Sequence, residues 1–595
     1  MRRILVACLL MTFAHVALAD HAIALGYTPK YPAGFTHFDY VNPDAPKGGE
    51  LLMANPDRRT SFDTFNPFIL KGTAPVGVGE LMFESLATGS LDEPATVYGL
   101  LADDMSVAAD GLSATFHINP KARFNNGDAV TAKDVKYSFD MLISKQAAPQ
   151  YAAMLADVKA VTVLDRLMIR FTFKRKNPEL PQIVATLPVF SDKWVGNKPF
   201  DKLGLTPPIS SGPYRIEHFD AGRSITFKRN ANYWGRDLPT RRGMFNFDRM
   251  TWRFYKDEVV KLEAFKAGEF DFNVESIARQ WMRQYNGPKF RSGELIKHEF
   301  MHHNTAGFQG FILNTRRPQF ADWRVRKALG LALDFDWLNK QLFYDLYVRM
   351  DSLYSNSELA ATGLPTPGEL KLLEPLRKQL NPAVFGPVPM PPATQPPDSL
   401  RANLLQARDL LAQAGWTYRD GALRNAKGEP FSIEYLDDSG SMMKVLAPWS
   451  RNLQKLGITV RPRTADFALY QKRLDGFDFD VTTLHYGDTQ TPGNELYDLF
   501  GSKAAKTEGS SNVIGVADPA VDRLIDAIVA SETRAERVTA VRALDRVLRN
   551  GYYVIPHWYS RTHRIAYRNT LRFPATLPQY YPAAGWIVST WWRQP

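Results

Sequence analysis

The residues His298-Glu299-Phe300-Met301-His302 spell H-E-x-x-H, an arrangement able to hold a zinc ion. On a helix, the two imidazoles share a face and bind the metal, leaving Glu299 as general base for a metal-bound water. The flanking residues predict a different element. Leu295, Ile296, Phe300 and Met301 sit between Gly293 and Asn304-Thr305-Ala306-Gly307, a short apolar stretch that reads as a strand. In a strand, residues four apart share a face but stand about 13 Å from each other, too far to chelate one ion. His303 adds only a loose donor, so a zinc-dependent protease remains an alternative that metal dependence would have to support. The catalytic assignment is none, and no metal or cofactor is expected.

The only cysteine is Cys8. Arg2 and Arg3 form a basic start, Ile4 to Val16 an apolar stretch, and Ala17-Leu18-Ala19 a small-residue cleavage site, which together predict a signal peptide over 1–19 cut after Ala19. Leu5-Val6-Ala7-Cys8 also fits a lipoprotein box, but cutting there leaves almost no apolar core upstream. Without Cys8 the mature chain lacks thiols, which excludes disulfides, thiol catalysis and thiolate metal sites. Export as a soluble periplasmic protein is the expectation.

At 595 residues the chain is too long for one core, and 45% hydrophobic with 23% charged residues argues against disorder. Removing Arg2 and Arg3 takes the net charge from +11 to +9. Lys and Arg are spread without a dense basic block, so nucleic acid is not an expected partner.

The elements read as interleaved strands and helices. Ser113 to Ile118 alternates as a strand, Asn126-Gly127-Asp128 makes a turn, and Thr131 with Asp134 caps a helix. Alternation recurs from Val161 to Phe173, and strands return at 214–228 and 250–255. Helical spacing runs through Val325 to Trp337, Ala402 to Ala414 and Val521 to Leu548. The interval 364–397, dense in proline, predicts a long surface loop.

Several short motifs follow one another in a fixed order: Leu101-Ala102-Asp103-Asp104, Phe124-Asn125-Asn126-Gly127-Asp128, Thr131-Ala132-Lys133-Asp134-Val135, Ser211-Gly212-Pro213-Tyr214, Asn232-Tyr233-Trp234-Gly235, Phe265 to Phe272, Asp322 to Leu329 and Leu410 to Trp416. This order resembles the family 5 extracellular solute-binding proteins, receptors of oligopeptide ABC importers, over nearly the whole mature chain. The opening Tyr40 to Gly49 resembles the branch that includes microcin C and peptide importer receptors.

The resemblance implies an α/β, two-lobed periplasmic binding protein of the large peptide-receptor class, with an extra subdomain and a two-crossing hinge. It implies that lobe I is assembled from residues 20–70, a subdomain over 71–199, residues 200–304 and the C-terminal stretch 554–595, with 305–553 forming lobe II. Hinge crossings fall near 300–310 and 550–558.

It further implies a non-enzymatic monomer that captures oligopeptides, including microcin C-like conjugates, and delivers them to inner-membrane permease subunits with cytoplasmic ATPases. In the family, positions matching Lys71-Gly72-Thr73 and His485-Tyr486-Gly487-Asp488 flank the peptide, and the residue matching Asp488 pairs with its α-amino group. An ammonium–carboxylate bond of that kind fixes register without reading side chains. Asp488 is also an ordinary turn residue before Thr489, Pro492 and Gly493. Tyr486 would cover the ligand backbone, and Tyr151 lies near a position that stacks over ligand. Lys71 departs from the acidic residue that relatives often carry. A sugar, opine or metal complex is the alternative cargo for the same fold.

Overall fold

The computed structural model describes residues 20–56, 61–486 and 489–594. The expected signal peptide lies outside the described residues. Among them, no helix is long and apolar enough to cross a membrane.

Lobe I is built on antiparallel and mixed sheets. In the first, Ala102–Val107, Ser113–Ile118, Met168–Phe173 and Val158–Val163 lie side by side in that order. The strand period of two sends Ala114, Phe116, Ile118, Ile169, Phe171 and Phe173 to one face, and all six are buried. Helix Ala132–Leu142 covers that face with Val135, Phe139 and Leu142, and its start is fixed by the reciprocal Thr131–Asp134 capping box.

A second sheet orders Tyr214–Asp220, Ser224–Arg229, Arg249–Arg253 and Glu50–Ala54, with the last pair parallel. The Ser211-Gly212-Pro213-Tyr214 motif begins it. A Cβ on Gly212 would stand 2.5 Å from the Leu81 and Met82 carbonyl oxygens, so only glycine permits this approach. Tyr214 is buried and donates its hydroxyl to Phe247 O at 2.6 Å. In the third sheet, Thr562–Arg568 returns from the C-terminal region to lie between Phe272–Val274 and Leu295–Met301.

Lobe II carries a five-stranded sheet in the order Thr459–Thr464, Ser432–Asp437, Val481–Tyr486, Phe308–Leu313 and Val554–Pro556. Its first three strands are parallel to one another, and each of the last two is antiparallel to the strand before it. Val554–Pro556 pairs within this sheet, along Phe308–Leu313.

The apolar cores follow the same division. The largest takes residues from Leu51 to Phe300 and again from Ile565 to Trp591. Two others take residues only between Phe308 and Ile555. Core membership therefore changes twice along the chain, across 301–307 and 556–564.

Two helical runs differ from the spacing that predicts them. Val325 to Trp337 is split into Trp323–Leu331 and Phe335–Leu342, because Asp334 caps a new start by accepting from Trp337 N. Val521 to Leu548 is split into Pro519–Ala530 and Arg534–Asn550 at Thr533, which forms a capping box with Glu536.

The interval 364–397 is only partly a loop. Pro367, Pro375 and Pro382 each open a helical turn, where a missing N–H costs nothing. Leu373, Leu376, Leu380 and Val384 are buried in a lobe II core.

Candidate ligand site between the lobes

The lobes meet through helix Arg534–Asn550 of lobe II. Its Arg537 side chain is 0% exposed and donates from Nη1 to the carboxylate of Glu179, at the start of helix Leu180–Ala185 in lobe I. Burial pushes the Glu179 carboxyl up, and Arg537 pulls it back down. Gly493 presses against this pair: a Cβ there would stand 2.8 Å from Glu179 Oε2. Arg534 N donates to Leu25 O at 2.9 Å, and Thr491 Oγ1 donates to Pro94 O at 2.9 Å, both across the boundary. The exposed Lys176–Glu532 pair adds little, because water screens it.

On the lobe II wall, strand Val481–Tyr486 runs antiparallel to Phe308–Leu313, with His485 opposite Gln309 and Tyr486 opposite Phe308. His485 is exposed. Tyr486 is half-buried; its ring stacks on Phe308 at 4.6 Å between centroids and its hydroxyl donates to Ser511 O at 2.7 Å. That hydroxyl is thus committed to the Ser511 carbonyl.

Gly487 and Asp488 lie outside the described residues. The segment after them is held from three directions: Gln490 Oε1 accepts from Thr305 Oγ1 at 2.9 Å, the Gln490 carbonyl accepts from Arg534, and Thr491 reaches Pro94.

On the lobe I wall, Lys71 and Gly72 are exposed and Thr73 is half-buried. Asp63 fixes this turn: its N–H donates to Thr73 O at 3.1 Å, and its carboxylate accepts from Thr73 N at 2.7 Å. Tyr151 sits on the short helix Pro149–Met154, half-buried against Phe68 at 6.2 Å, and burial raises its phenol. Ala148 N donates to Phe68 O, which ties the Tyr151 helix to the segment leading into Lys71. The structure therefore puts Lys71, Gly72, Thr73 and Tyr151 on one lobe and His485 and Tyr486 on the other.

Glu179, Arg537, Arg534 and Thr491 escape sequence reasoning. Glu179 follows Asn177-Pro178, a turn signal, but nothing local indicates a partner 358 residues away.

The H-E-x-x-H residues lie on strand Leu295–Met301 and its end. His298 is exposed with its ring on Phe300, while His302 is buried against His563 at 4.2 Å. Glu299 accepts from Trp281 Nε1 at 3.0 Å and Thr562 Oγ1 at 3.1 Å. Among the described residues no group of three or more His, Cys, Asp or Glu could hold a metal.

The model of the bacterial extracellular solute-binding proteins, family 5, matches residues 96–508. The chain belongs to this family. It is 37% identical over 597 residues to a putative binding protein of Brucella melitensis, covering 98% of this chain and 95% of that one. A probable peptide-binding protein YejA of Agrobacterium fabrum is 38% identical, with 94% and 92% covered.

Among solved structures, NikA from Brucella suis in complex with Fe(III)-EDTA has a TM-score of 0.67 at 19% identity, covering 88% of this chain and 96% of NikA. The oligopeptide-binding protein AppA from Bacillus subtilis, in complex with a nonapeptide, has 0.65 at 18%, covering 93% and 100%. These similarities establish the mixed α/β, two-lobed fold; the fold itself does not choose the cargo.

Proposed function

We propose that this chain is the periplasmic receptor of an ABC importer that captures oligopeptides between its lobes and hands them to the permease without chemical turnover. The observation that carries the cargo is the 38% identity, over nearly the full length of both chains, to a probable peptide-binding protein. The two walls support it: the exposed turn at Lys71-Gly72 on one lobe and the strand end at His485 and Tyr486 on the other can both offer backbone groups to an extended ligand.

In this reading Asp488 takes the peptide α-amino group and Tyr486 lays its ring over the ligand backbone. Ligand stabilises the closed form by contacts it makes to both lobes at once, adding to Glu179–Arg537. The chain works as a monomer after cleavage following Ala19, and microcin C-like peptide conjugates are an extension of the same cargo class.

Calorimetric titration with a defined pool of tetrapeptides and pentapeptides, free and N-acetylated, tests this. Free peptides should bind, and N-acetylation or Asp488→Ala should each weaken binding by about tenfold or more. Equal binding of acetylated peptides would remove Asp488 from the role, and binding of neither pool would overturn the peptide assignment.

A further inference from the structure

A second space lies within lobe II. A cavity of about 610 Å³ is lined only by residues between 308 and 556, and its size is that of a small-molecule pocket. Strand Phe308–Leu313 places it: Ile312 joins the core on one face of the five-stranded sheet, while Phe311 and Leu313 join the core on the other. The cavity draws walls from both, Leu331 from the Phe311 side and Phe500, Ile514 and Leu548 from the Ile312 side. It therefore straddles the edge of the sheet.

That edge is strand Val554–Pro556, and Val554 and Pro556 both line the cavity. Leu313 N donates to Tyr553 O at 3.3 Å and His557 N to Gln309 O at 2.9 Å. By the alternation of an antiparallel pair, Ile555 faces the neighbouring strand, and Val554 and Pro556 turn their backbone groups away from it. Val554 N–H, Val554 O and Pro556 O thus point outward. Among the described residues no strand pairs with Val554–Pro556 along that outer side; the bond from Met350 N to His557 O at 3.1 Å lies just beyond it.

Gly330, in helix Trp323–Leu331, lines the cavity as well. A Cβ built there meets no atom within 4 Å, and its backbone is not left-handed, so neither packing nor conformation requires glycine. The helix forgoes about 1 kcal/mol relative to alanine. The space a side chain would take stays in the cavity. Pro389 to Ala393 line a further side and are held in place, with Arg549 Nη2 donating to Pro389 O at 2.7 Å and Asn403 Nδ2 to Ala393 O at 2.9 Å.

The charged residues of the walls are engaged or turned elsewhere. Arg326 donates to the carbonyls of Gly551, Phe320 and Ala321, and Arg549 to Asp545, Ala361 O and Pro389 O. Arg349 lays its guanidinium over the Phe335 ring, 5.3 Å from the centroid, with its nitrogens closed to water. Lys327 lies over the Tyr552 ring at 5.4 Å, and Asp351 accepts from Ser355 Oγ. Asp398 is exposed. What the cavity offers is apolar surface and the strand edge, which suit an uncharged ligand with amides on an apolar body.

We propose that this cavity binds a capped amino-acid residue, an N-acyl amide with an apolar side chain, the residue's N–H donating to Val554 O and its C=O accepting from Val554 N–H as an added strand does. The site is separate from the region between the lobes and does not depend on peptide being the cargo there.

Calorimetry on the full mature chain, stripped of bound solutes by mild denaturation and refolding, should show one saturable site for N-acetylphenylalaninamide. The same probe methylated on its phenylalanine nitrogen lacks the donor and should bind about fivefold more weakly. Gly330→Phe starts from an unobstructed Cβ and should weaken binding by about tenfold or more, whereas Gly330→Ala should leave it within about twofold. Val554→Pro, tolerated at an edge whose N–H faces outward, should lower affinity about fivefold. Absence of binding, tighter binding of the free acid N-acetylphenylalanine, undiminished affinity for the N-methylated probe, or undiminished binding to Gly330→Phe would overturn the proposal.

Discussion

Glu179 and Arg537, 358 residues apart in the chain, pair across the boundary between the lobes, and the Arg537 side chain is wholly withdrawn from water. Arg537 Nε and Nη2 find no other partner among the described residues. Removing the carboxylate therefore strands a buried charge on one lobe. Glu179→Ala should cost about 3 kcal/mol of the closed form and enlarge the radius of gyration of the unliganded protein in X-ray scattering. An unchanged radius and melting temperature would show that the pair does not hold the lobes together.

The histidines near the crossings make stability depend on acid. Burial against His563, with His303 nearby, pushes His302 down to about 3, and burial beside Arg349 does the same to His557. Burial also lowers His563, whose Nε2 bonds Tyr581 O. An unfolded histidine titrates near 6.5, so between these values the unfolded chain binds more protons. Stability is fully present above pH 6.5 and is lost as pH falls toward 3, at about 1.4 kcal/mol per pH unit for His302 and for His557, with His563 acting in the same direction. Melting temperatures at pH 7.5, 6 and 5 should fall in that order, and His302→Gln should flatten the decline.

Asp271, in the Phe270-Asp271-Phe272 motif, is buried and joins three distant parts of lobe I. It accepts Leu52 N at 2.7 Å, pairs with Arg593 at 2.7 Å and lies 3.4 Å from Arg568. Asp271→Ala should destabilise by about 3 kcal/mol in urea unfolding, whereas a loss under about 0.5 kcal/mol would mean the three partners are satisfied without it.

Zinc chemistry at His298 and His302 has no support in the strand geometry. His298→Ala should leave ligand binding and stability nearly unchanged, while Glu299→Ala, which frees Trp281 Nε1 and Thr562 Oγ1, should cost about 1 kcal/mol. A zinc-dependent peptidase activity that His298→Ala abolished would reverse this reading.

Much of the fold was legible because local chemistry dictated it. Thr131 and Asp134 announced a capped helix, and the alternation in Ile169 to Phe173 announced a half-buried strand. The breaks at Asp334 and Thr533 were less visible, since apolar spacing continues across both while the caps restart the helix. The prolines of 364–397 misled by density: at the first position of a turn a proline starts a helix instead of ending one.

At the site, family resemblance pointed to His485, Tyr486 and the Lys71 turn, but Glu179 and Arg537 carry no local signature. Their importance lies in burial and in partners far along the chain, and neither is written in neighbouring residues.

Peptide capture is tested most directly by native mass spectrometry of the mature protein purified from the periplasm, before and after mild denaturation, with identification of what is released. The predicted result is peptides with free amino termini that rebind to the wild type and are lost from Asp488→Ala. A sugar, an opine or a metal complex released in stoichiometric amount, with no peptide able to rebind, would contradict it.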